Sequence, residues 1–341
     1  MIDLLVAGGG PAGLATALYA HRAGLDVVVL EPRSGPIDKA CGEGLMPGAL
    51  AALAGLGIEP VGQPFAGIRY TDGRRSAEAR FGAGPGRGVR RTVLHDALAD
   101  TARRAGIDIR PGRVDGVTQH ADRVQAGGLT ARYLAAADGL HSPVARAVGL
   151  AQPARAPRRW GLRIHLDMAP WTDLVEVHWG RHAEAYVTPV GPDRIGVAVL
   201  SGQRAPYADQ LAGFPALRER LGPTVTDVAG GVKGAGPLRH RTRARTAGRV
   251  LLVGDAAGYV DALTGEGISV ALAGARALVD AVAADRPAEY ERSWRRASRR
   301  YRALTSGLLW ATGRPPLRRA LVPATVAFPR VFGLVVDQLA R

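Results

Sequence analysis

The sequence predicts an α/β nucleotide-binding domain, interrupted by a mostly antiparallel β domain and closed by C-terminal helices. Three observations carry that expectation. Near the N-terminus an apolar strand, Ile2 to Ala7, runs into Gly8-Gly9-Gly10-Pro11-Ala12-Gly13 and then into a small-residue helix. From Arg163 to Leu200 apolar and polar positions alternate, as in Val175-Glu176-Val177-His178-Trp179, the period of a half-buried strand. At Val250 to Val253 a fully apolar strand returns, followed by Gly254-Asp255 and a second small-residue helix from about Thr264 to Ala283. Strand and helix alternating on either side of a strand-only stretch is the pattern of a layered α/β domain carrying an insertion.

The elements follow in order. The first helix reaches His21, a turn falls at Gly24, and the strand Asp26 to Leu30 completes a unit of strand, glycine turn, helix and strand. Val93, Leu94, Leu98 and Ala102 recur at helical spacing between Arg91 and Ala105, and Gly106 ends that helix before a strand at Ile107 to Ile109. Further strands are expected near Val114 to Thr118 and Tyr133 to Ala137. The alternating region reads as an antiparallel meander with one face buried and one free to cover a cavity, its turn at Gly191-Pro192-Asp193. Residues 1–150 and 245–290 then form the nucleotide-binding domain, with 60–85 able to join the second domain; 151–244 form the β-rich domain, and 291–341 a helical segment.

In the glycine turn, Gly8, Gly10 and Gly13 each have a physical task. The first allows the tight turn, the second lets backbone approach a pyrophosphate, and the third lets helix pack on strand. The helix N-terminus offers free N–H groups and a positive dipole end to phosphates. Glu31, at the end of the second strand, is placed to accept hydrogen bonds from ribose hydroxyls; an acid there disfavours a 2′-phosphate, which leaves FAD or NAD as the resident nucleotide.

Composition narrows the rest. With 341 residues and 47% hydrophobic content the chain is globular, and no stretch reaches the roughly 18 consecutive apolar residues of a spanning helix. The N-terminus shows no basic, cleavable leader, so the expected location is the cytoplasm, with peripheral contact at the inner face of the membrane as an addition. A single cysteine, Cys41, excludes an intramolecular disulfide and argues against a cysteine-based zinc site; no metal is expected. Of 45 basic residues all but Lys39 and Lys233 are arginine, and the formal net charge is +15. Residues 291–341 hold eleven arginines (Arg292, Arg295, Arg296, Arg299, Arg300, Arg302, Arg314, Arg318, Arg319, Arg330 and Arg341) against Glu291 and Asp337. They lack a nucleic-acid recognition motif or base-stacking platform, so no nucleic-acid partner is expected. A phospholipid surface, a carrier protein or an acidic substrate remains open beside a plain solvated helix face. The apolar runs between these arginines, such as Val331-Phe332 and Leu334-Val335-Val336, could cap a lipophilic tunnel or rest on a membrane, but packing on the nucleotide-binding domain is the simpler expectation.

Two downstream motifs decide between the nucleotides. Ala137-Asp138-Gly139-Leu140-His141-Ser142-Pro143-Val144-Ala145-Arg146 and Val253-Gly254-Asp255-Ala256-Ala257-Gly258 each follow a strand. Together with the glycine turn they resemble the flavoprotein aromatic hydroxylase fold, the class of p-hydroxybenzoate hydroxylase, over most of residues 1 to about 290. Lys39-Ala40-Cys41-Gly42-Glu43-Gly44-Leu45 and the run from Gly254 to Ile268 resemble the geranylgeranyl reductase-like branch of that fold. The hydroxylases usually have Pro where this chain has Ala262. The resemblance implies FAD as cofactor and NAD(P)H as transient reductant. It implies FAD contacts from Gly8, Gly10, Pro11, Ala12 and Gly13, from Glu31 and Arg33, and from Cys41, Gly42 and Gly44. Further contacts are implied for Arg91, for Asp138 and Gly139, for Gly254 and Asp255, and for Gly265, Gly267 and Ile268.

The chemistry stays open among three reactions. The first is monooxygenation of a hydrophobic phenolic or polyketide-like substrate through a C4a-hydroperoxyflavin. The second is hydride transfer that saturates a double bond of an isoprenoid or related lipid. Halogenation ranks third; Lys39 is near the flavin loop, but the Trp-x-Trp-x-Ile-Pro segment of halogenases is absent. Cys41, Glu43, Tyr186 and His165 are the candidate catalytic residues, with Arg163, His178 and Pro189 as further candidates for the lining of a cavity between flavin and meander.

Overall fold

The computed structural model describes residues 1–153, 158–222 and 231–340. Its first sheet is built on the N-terminal strand Ile2–Ala7, which pairs in parallel with Val27–Glu31 on one side and Leu129–Ala136 on the other. Asp108–Pro111 and Val250–Leu252 extend the two sides, also in parallel. These strands read as apolar runs because they are covered: Leu4, Leu5, Val6, Leu134 and Leu251 are all fully buried. The helices Pro11–Arg22, Arg91–Arg104 and Gly267–Ala283 share this core. The last of them starts three residues later than the sequence suggested, because Gly265 has φ +72° and cannot belong to a right-handed helix.

The second sheet has seven strands in the order Lys233–Ala235, Trp160–Leu166, Arg194–Ser201, Ala183–Gly191, Leu174–Trp179, Gly67–Thr71 and Ser76–Arg80. Four of these form the expected meander. Gly67–Thr71 and Ser76–Arg80 come from far earlier in the chain, and Gly67–Thr71 makes a parallel pair with Leu174–Trp179. One face of the sheet, with Ile164, Val187, Val197 and Val199, is covered by the short helices Tyr207–Leu211 and Pro215–Leu221.

The C-terminal helices divide their allegiance. Pro287–Thr312 lies against Gly267–Ala283 and buries Tyr290 and Trp294 in the core of the first sheet. The next two, Pro315–Ala327 and Pro329–Ala340, pack instead on the second sheet, a correction to the expectation that the whole segment would cover the nucleotide-binding domain. The reason is local complementarity: Val322, Phe332, Val336 and Ala340 bury themselves with Ile68, Tyr70 and Trp179, and the Phe332 ring lies 4.8 Å from that of Tyr70. Arg318 donates to the carbonyls of Gly180 and Ala183 and to Glu184, tying the same helices to the sheet edge. Among the described residues no single helix is long and apolar enough to cross a membrane; these last two helices together match a span in length and composition but meet at 104°. Arg341 lies outside the described residues.

Candidate active site

The glycine turn has the geometry its spacing implies. Gly8 has φ +106°, and a Cβ there would lie 2.6 Å from the carbonyl oxygen of Ala137. A Cβ on Gly13 would lie 1.8 Å from the carbonyl oxygen of Gly8, so helix and turn touch as only glycine allows. Gly10 is different: a Cβ there meets nothing within 4 Å, and the residue faces an open cavity. Pro11 opens the helix, where its missing N–H costs nothing. Glu31 stands behind the turn rather than on the cavity wall. Its oxygens accept from the Gly9 N–H at 2.8 Å and from Arg33 Nε at 2.7 Å. Burial opposes its charge, but these bonds outweigh burial and hold the carboxyl below its ordinary value. Arg33, clamped on Glu31, is the member of the pair that lines the cavity. His95, which sequence reasoning missed, braces the turn from the neighbouring helix through a 3.0 Å contact to the Gly9 carbonyl.

The downstream motifs arrive at the same cavity, which has a volume of about 520 Å³. Asp138 follows the strand Leu129–Ala136; one of its oxygens accepts from the Val144 N–H at 3.0 Å, while Oδ1 is buried with no partner among the described residues. Burial pushes its carboxyl above the ordinary value. Gly254 has φ +63°, and a Cβ there would come within 2.6 Å of Ala12, so this turn is pressed against the first helix. Asp255 pairs with Lys39 at 3.1 Å. Gly265, Gly267 and Ile268 bring the N-terminus of the 17-residue helix Gly267–Ala283 to the wall, and Arg91 adds a buried Nε without a partner among the described residues.

The loop from Lys39 to Leu45 forms a further side, carrying Cys41, Gly42 and Gly44 on the wall. Its fastener is Glu43, a non-glycine residue held at φ +59° and 3% exposed. The carboxylate accepts from the Arg91 N–H at 2.8 Å, meets His165 Nε2 at 2.6 Å and lies 3.5 Å from Arg163. Arg163 NH1 lies 3.1 Å from His165 Nδ1, so an Nε2-protonated imidazole satisfies both contacts. Arg163 also pairs with Asp38, and Thr188 donates to the Gly42 carbonyl at 2.8 Å. A Cβ on Gly196 would approach Glu43 Oε2 to 3.0 Å, which is why the strand carries glycine opposite this carboxylate. Glu43 and His165 thus lock loop to sheet. Glu43 still reaches the wall, whereas His165 is not among the lining residues, and the expectation of a ring facing substrate is corrected.

Other meander candidates sort by strand parity. Val177 pairs with Tyr186 and both line the cavity, so His178, one residue on, faces the opposite side, where it lies 3.2 Å from Glu176. Pro189 does not line the cavity either. Tyr186 does, but its hydroxyl donates to the Leu263 carbonyl at 2.9 Å. Tyr259, which the sequence reading passed over, lines the cavity; burial keeps its hydroxyl protonated well above the usual range, and that hydroxyl has no hydrogen-bond partner among the described residues.

An open backbone cradle at Gly10, a helix N-terminus at Gly267 and the unpartnered Arg91 Nε and Asp138 Oδ1 fit an elongated, phosphate-bearing, hydrogen-bonding cofactor such as FAD. The profile of the family described as "FAD binding domain" matches residues 1–287. The chain belongs to this FAD-binding family. It is an FAD-dependent oxidoreductase of the p-hydroxybenzoate hydroxylase fold, in the geranylgeranyl reductase-like branch. A menaquinone reductase of Mycolicibacterium smegmatis is 30% identical over 86% of this chain and 79% of its own length. A digeranylgeranylglycerophospholipid reductase of Methanopyrus kandleri is 30% identical over 79% of this chain and 77% of its own. In structure the FAD-binding protein is similar to p-nitrophenol 4-monooxygenase from Pseudomonas putida, with a TM-score of 0.81 at 21% identity over 100% of this chain and 98% of that one, a likeness of fold.

Proposed function

We propose that this flavoprotein is a reductase that saturates a double bond of an isoprenoid-bearing lipid, with NAD(P)H as the source of electrons. The observation that carries this reading is the wall on the sheet side of the cavity. Ile68, Tyr70, Val175, Val177, Leu200, Leu238 and Leu263 make it apolar, and Leu339 of the last helix closes it. On the sheet the hydroxyls of Tyr186 and Thr188 are spent on backbone carbonyls. A surface with its polar groups satisfied binds hydrocarbon by excluding water, and a chain of isoprene units is hydrocarbon. Two relatives that share 30% identity carry reductase names, menaquinone in one and digeranylgeranylglycerophospholipid in the other, which supports the same class. The outer faces of the last two helices, with Phe328, Val331 and Leu334 exposed beside Arg330, suit delivery of such a lipid from an anionic membrane surface.

In this reading the open backbone at Gly10 and the N-terminus of the first helix would hold the cofactor's pyrophosphate. Asp255 and Asp138 would bind its polar chain, and Arg91 and the amides of Gly267 and Ile268 would favour negative charge beside them. FAD, when bound, supplies the hydride. The residues of the chain orient the alkene, keep water out and provide the second hydrogen. Tyr259 is the residue placed for that, a neutral hydroxyl on the cavity wall. Cys41 sits on the loop that the Glu43 and His165 lock holds in place.

Monooxygenation of a phenolic or polyketide-like substrate is the second reading. Tyr259 favours it too, because an unengaged hydroxyl can also orient a phenol. The test is product analysis by mass spectrometry. Reduced holoenzyme is mixed with a short-chain menaquinone or an unsaturated isoprenoid ether lipid without oxygen, and separately with phenols in air. Substrate that gains two hydrogens without oxygen supports the reductase. A product that gains an oxygen atom, with no anaerobic turnover, overturns it in favour of the monooxygenase.

A further inference from the structure

A second cavity, of about 560 Å³, adjoins the first, and Tyr259 stands in the wall of both. Its lining is built from arginine. In Arg239-His240-Arg241-Thr242-Arg243-Ala244-Arg245 every second residue is arginine; Arg241 and Thr242 form a short strand paired to Gln152 and Ala151, and His240 is bridged to Tyr259. The strand is short and the chain bends at Arg243 and Arg245, and all four arginines of the segment line this one cavity. Across from them the helix Pro287–Thr312 presents Trp294, Ser298, Tyr301 and Arg302, residues spaced to share one helix face. Arg245 stacks on the Trp294 ring at 4.0 Å and Arg302 lies over it at 5.4 Å.

The cluster is short of negative charge. Glu291 pairs with Arg245 at 3.1 Å and with Arg295 at 2.8 Å. Among the described residues, Arg239, Arg241, Arg243 and Arg302 have no carboxylate within 4 Å. The cavity also holds polar atoms that nothing satisfies: Ser298, 1% exposed, has a buried Oγ with no partner among the described residues, and His240 Nε2 is in the same condition. Arg245 is 7% exposed, and burial, reinforced by Arg302 and Arg295, presses its pKa down against the pull of Glu291. Converging cations beside unpaired buried groups form the counterpart of an anion with several acceptor oxygens.

We propose that this cavity binds the phosphate or diphosphate group of a small molecule, at a site separate from the FAD cradle. A diphosphate offers enough oxygens to take bidentate arginine pairs and the Ser298 hydroxyl together. The same chemistry comes from a soluble nucleotide or from a lipid headgroup. The inference does not depend on which reaction the flavin site performs.

The test is isothermal titration of oxidised holoenzyme with inorganic pyrophosphate against potassium chloride at matched ionic strength. One saturable site per chain is expected, weakened at least about tenfold in the Arg241→Glu, Arg302→Glu double variant and severalfold in Ser298→Ala, with FAD content unchanged. Both arginines are exposed, so the double variant folds without loss of core. Binding that follows ionic strength alone, or that is equal in parent and double variant, overturns the proposal. Competition then identifies the source. Displacement of pyrophosphate by NADP⁺ points to a nucleotide, displacement by phosphatidylglycerol vesicles but not phosphatidylcholine points to a headgroup, and displacement by neither leaves free diphosphate as the occupant.

Discussion

Replacing Glu43 by Gln keeps the shape of the side chain and removes its charge. The amide oxygen can still accept from the Arg91 N–H, which lies at 2.8 Å in the parent. What is lost is the charge on the 2.6 Å contact with His165 and the attraction to Arg163 at 3.5 Å. Removing one partner of a buried ion pair costs about 3–5 kcal/mol when the other is left uncompensated. Here Arg163 retains Asp38, so the loss falls to that of one hydrogen bond to a charged group, about 1.5–3 kcal/mol. At about 2 °C for each kcal/mol in a larger domain, Glu43→Gln should unfold about 3–6 °C below the parent. Thermal unfolding of FAD-saturated protein, followed by circular dichroism, measures this directly. Glu43→Ala should lose more, because it also strands the Arg91 N–H. If Glu43→Gln unfolds within about 1 °C of the parent, the charge of Glu43 is not what fixes the loop to the sheet.

Gly13→Asp should purify colourless, since its Cβ would meet the Gly8 carbonyl oxygen at 1.8 Å and push the first helix off the glycine turn; a yellow protein would show the cradle is misplaced. Phe332→Ala should lower stability to urea by about 3–5 kcal/mol, because Phe332 is 5% exposed and packs on Tyr70; a loss below about 1 kcal/mol would mean the last helix is not docked as described. Glu266 has its carboxyl pushed up to about 7 by burial, against the pull of Arg300. A folded-state pKa above the unfolded value of 4.5 means that its contribution is full below pH 4.5 and is lost as pH rises through about 7. Glu266→Gln, which cannot ionise, should therefore be more stable than the parent by roughly 2–4 kcal/mol above that range, the gap closing toward acid. Equal urea midpoints at about pH 8 would refute this.

The parts of the fold that could be read from the sequence are those whose signal is local. The glycine turn, the two Asp-Gly and Gly-Asp segments and the meander each carry their spacing within ten residues or so. Parity along the meander could also have placed His178: Val175 and Val177 share a face, so the residue after Val177 cannot. What escaped depends on contacts that no period records. Glu43 meets His165 across 122 residues, and Lys39 meets Asp255 across 216. The pairing of Gly67–Thr71 with Leu174–Trp179 and the docking of Phe332 on Tyr70 depend in the same way on which apolar faces meet in space. Tyr259 escaped for another reason, since its environment, with one wall in each of two cavities, exists only after folding.

The cavity proposed to hold FAD is walled by residues 10–12 and by residues between 254 and 268, and the strands behind these segments lie on opposite flanks of Leu129–Ala136. On a ribosome, at about 5–20 residues per second, the later half emerges on the order of tens of seconds after the earlier one. Throughout that interval the first helix presents its amides to nothing that can close over a cofactor. Flavin capture is therefore a late event in the life of each new chain, and a cell short of FAD would accumulate polypeptides that are complete in sequence but still waiting to be loaded.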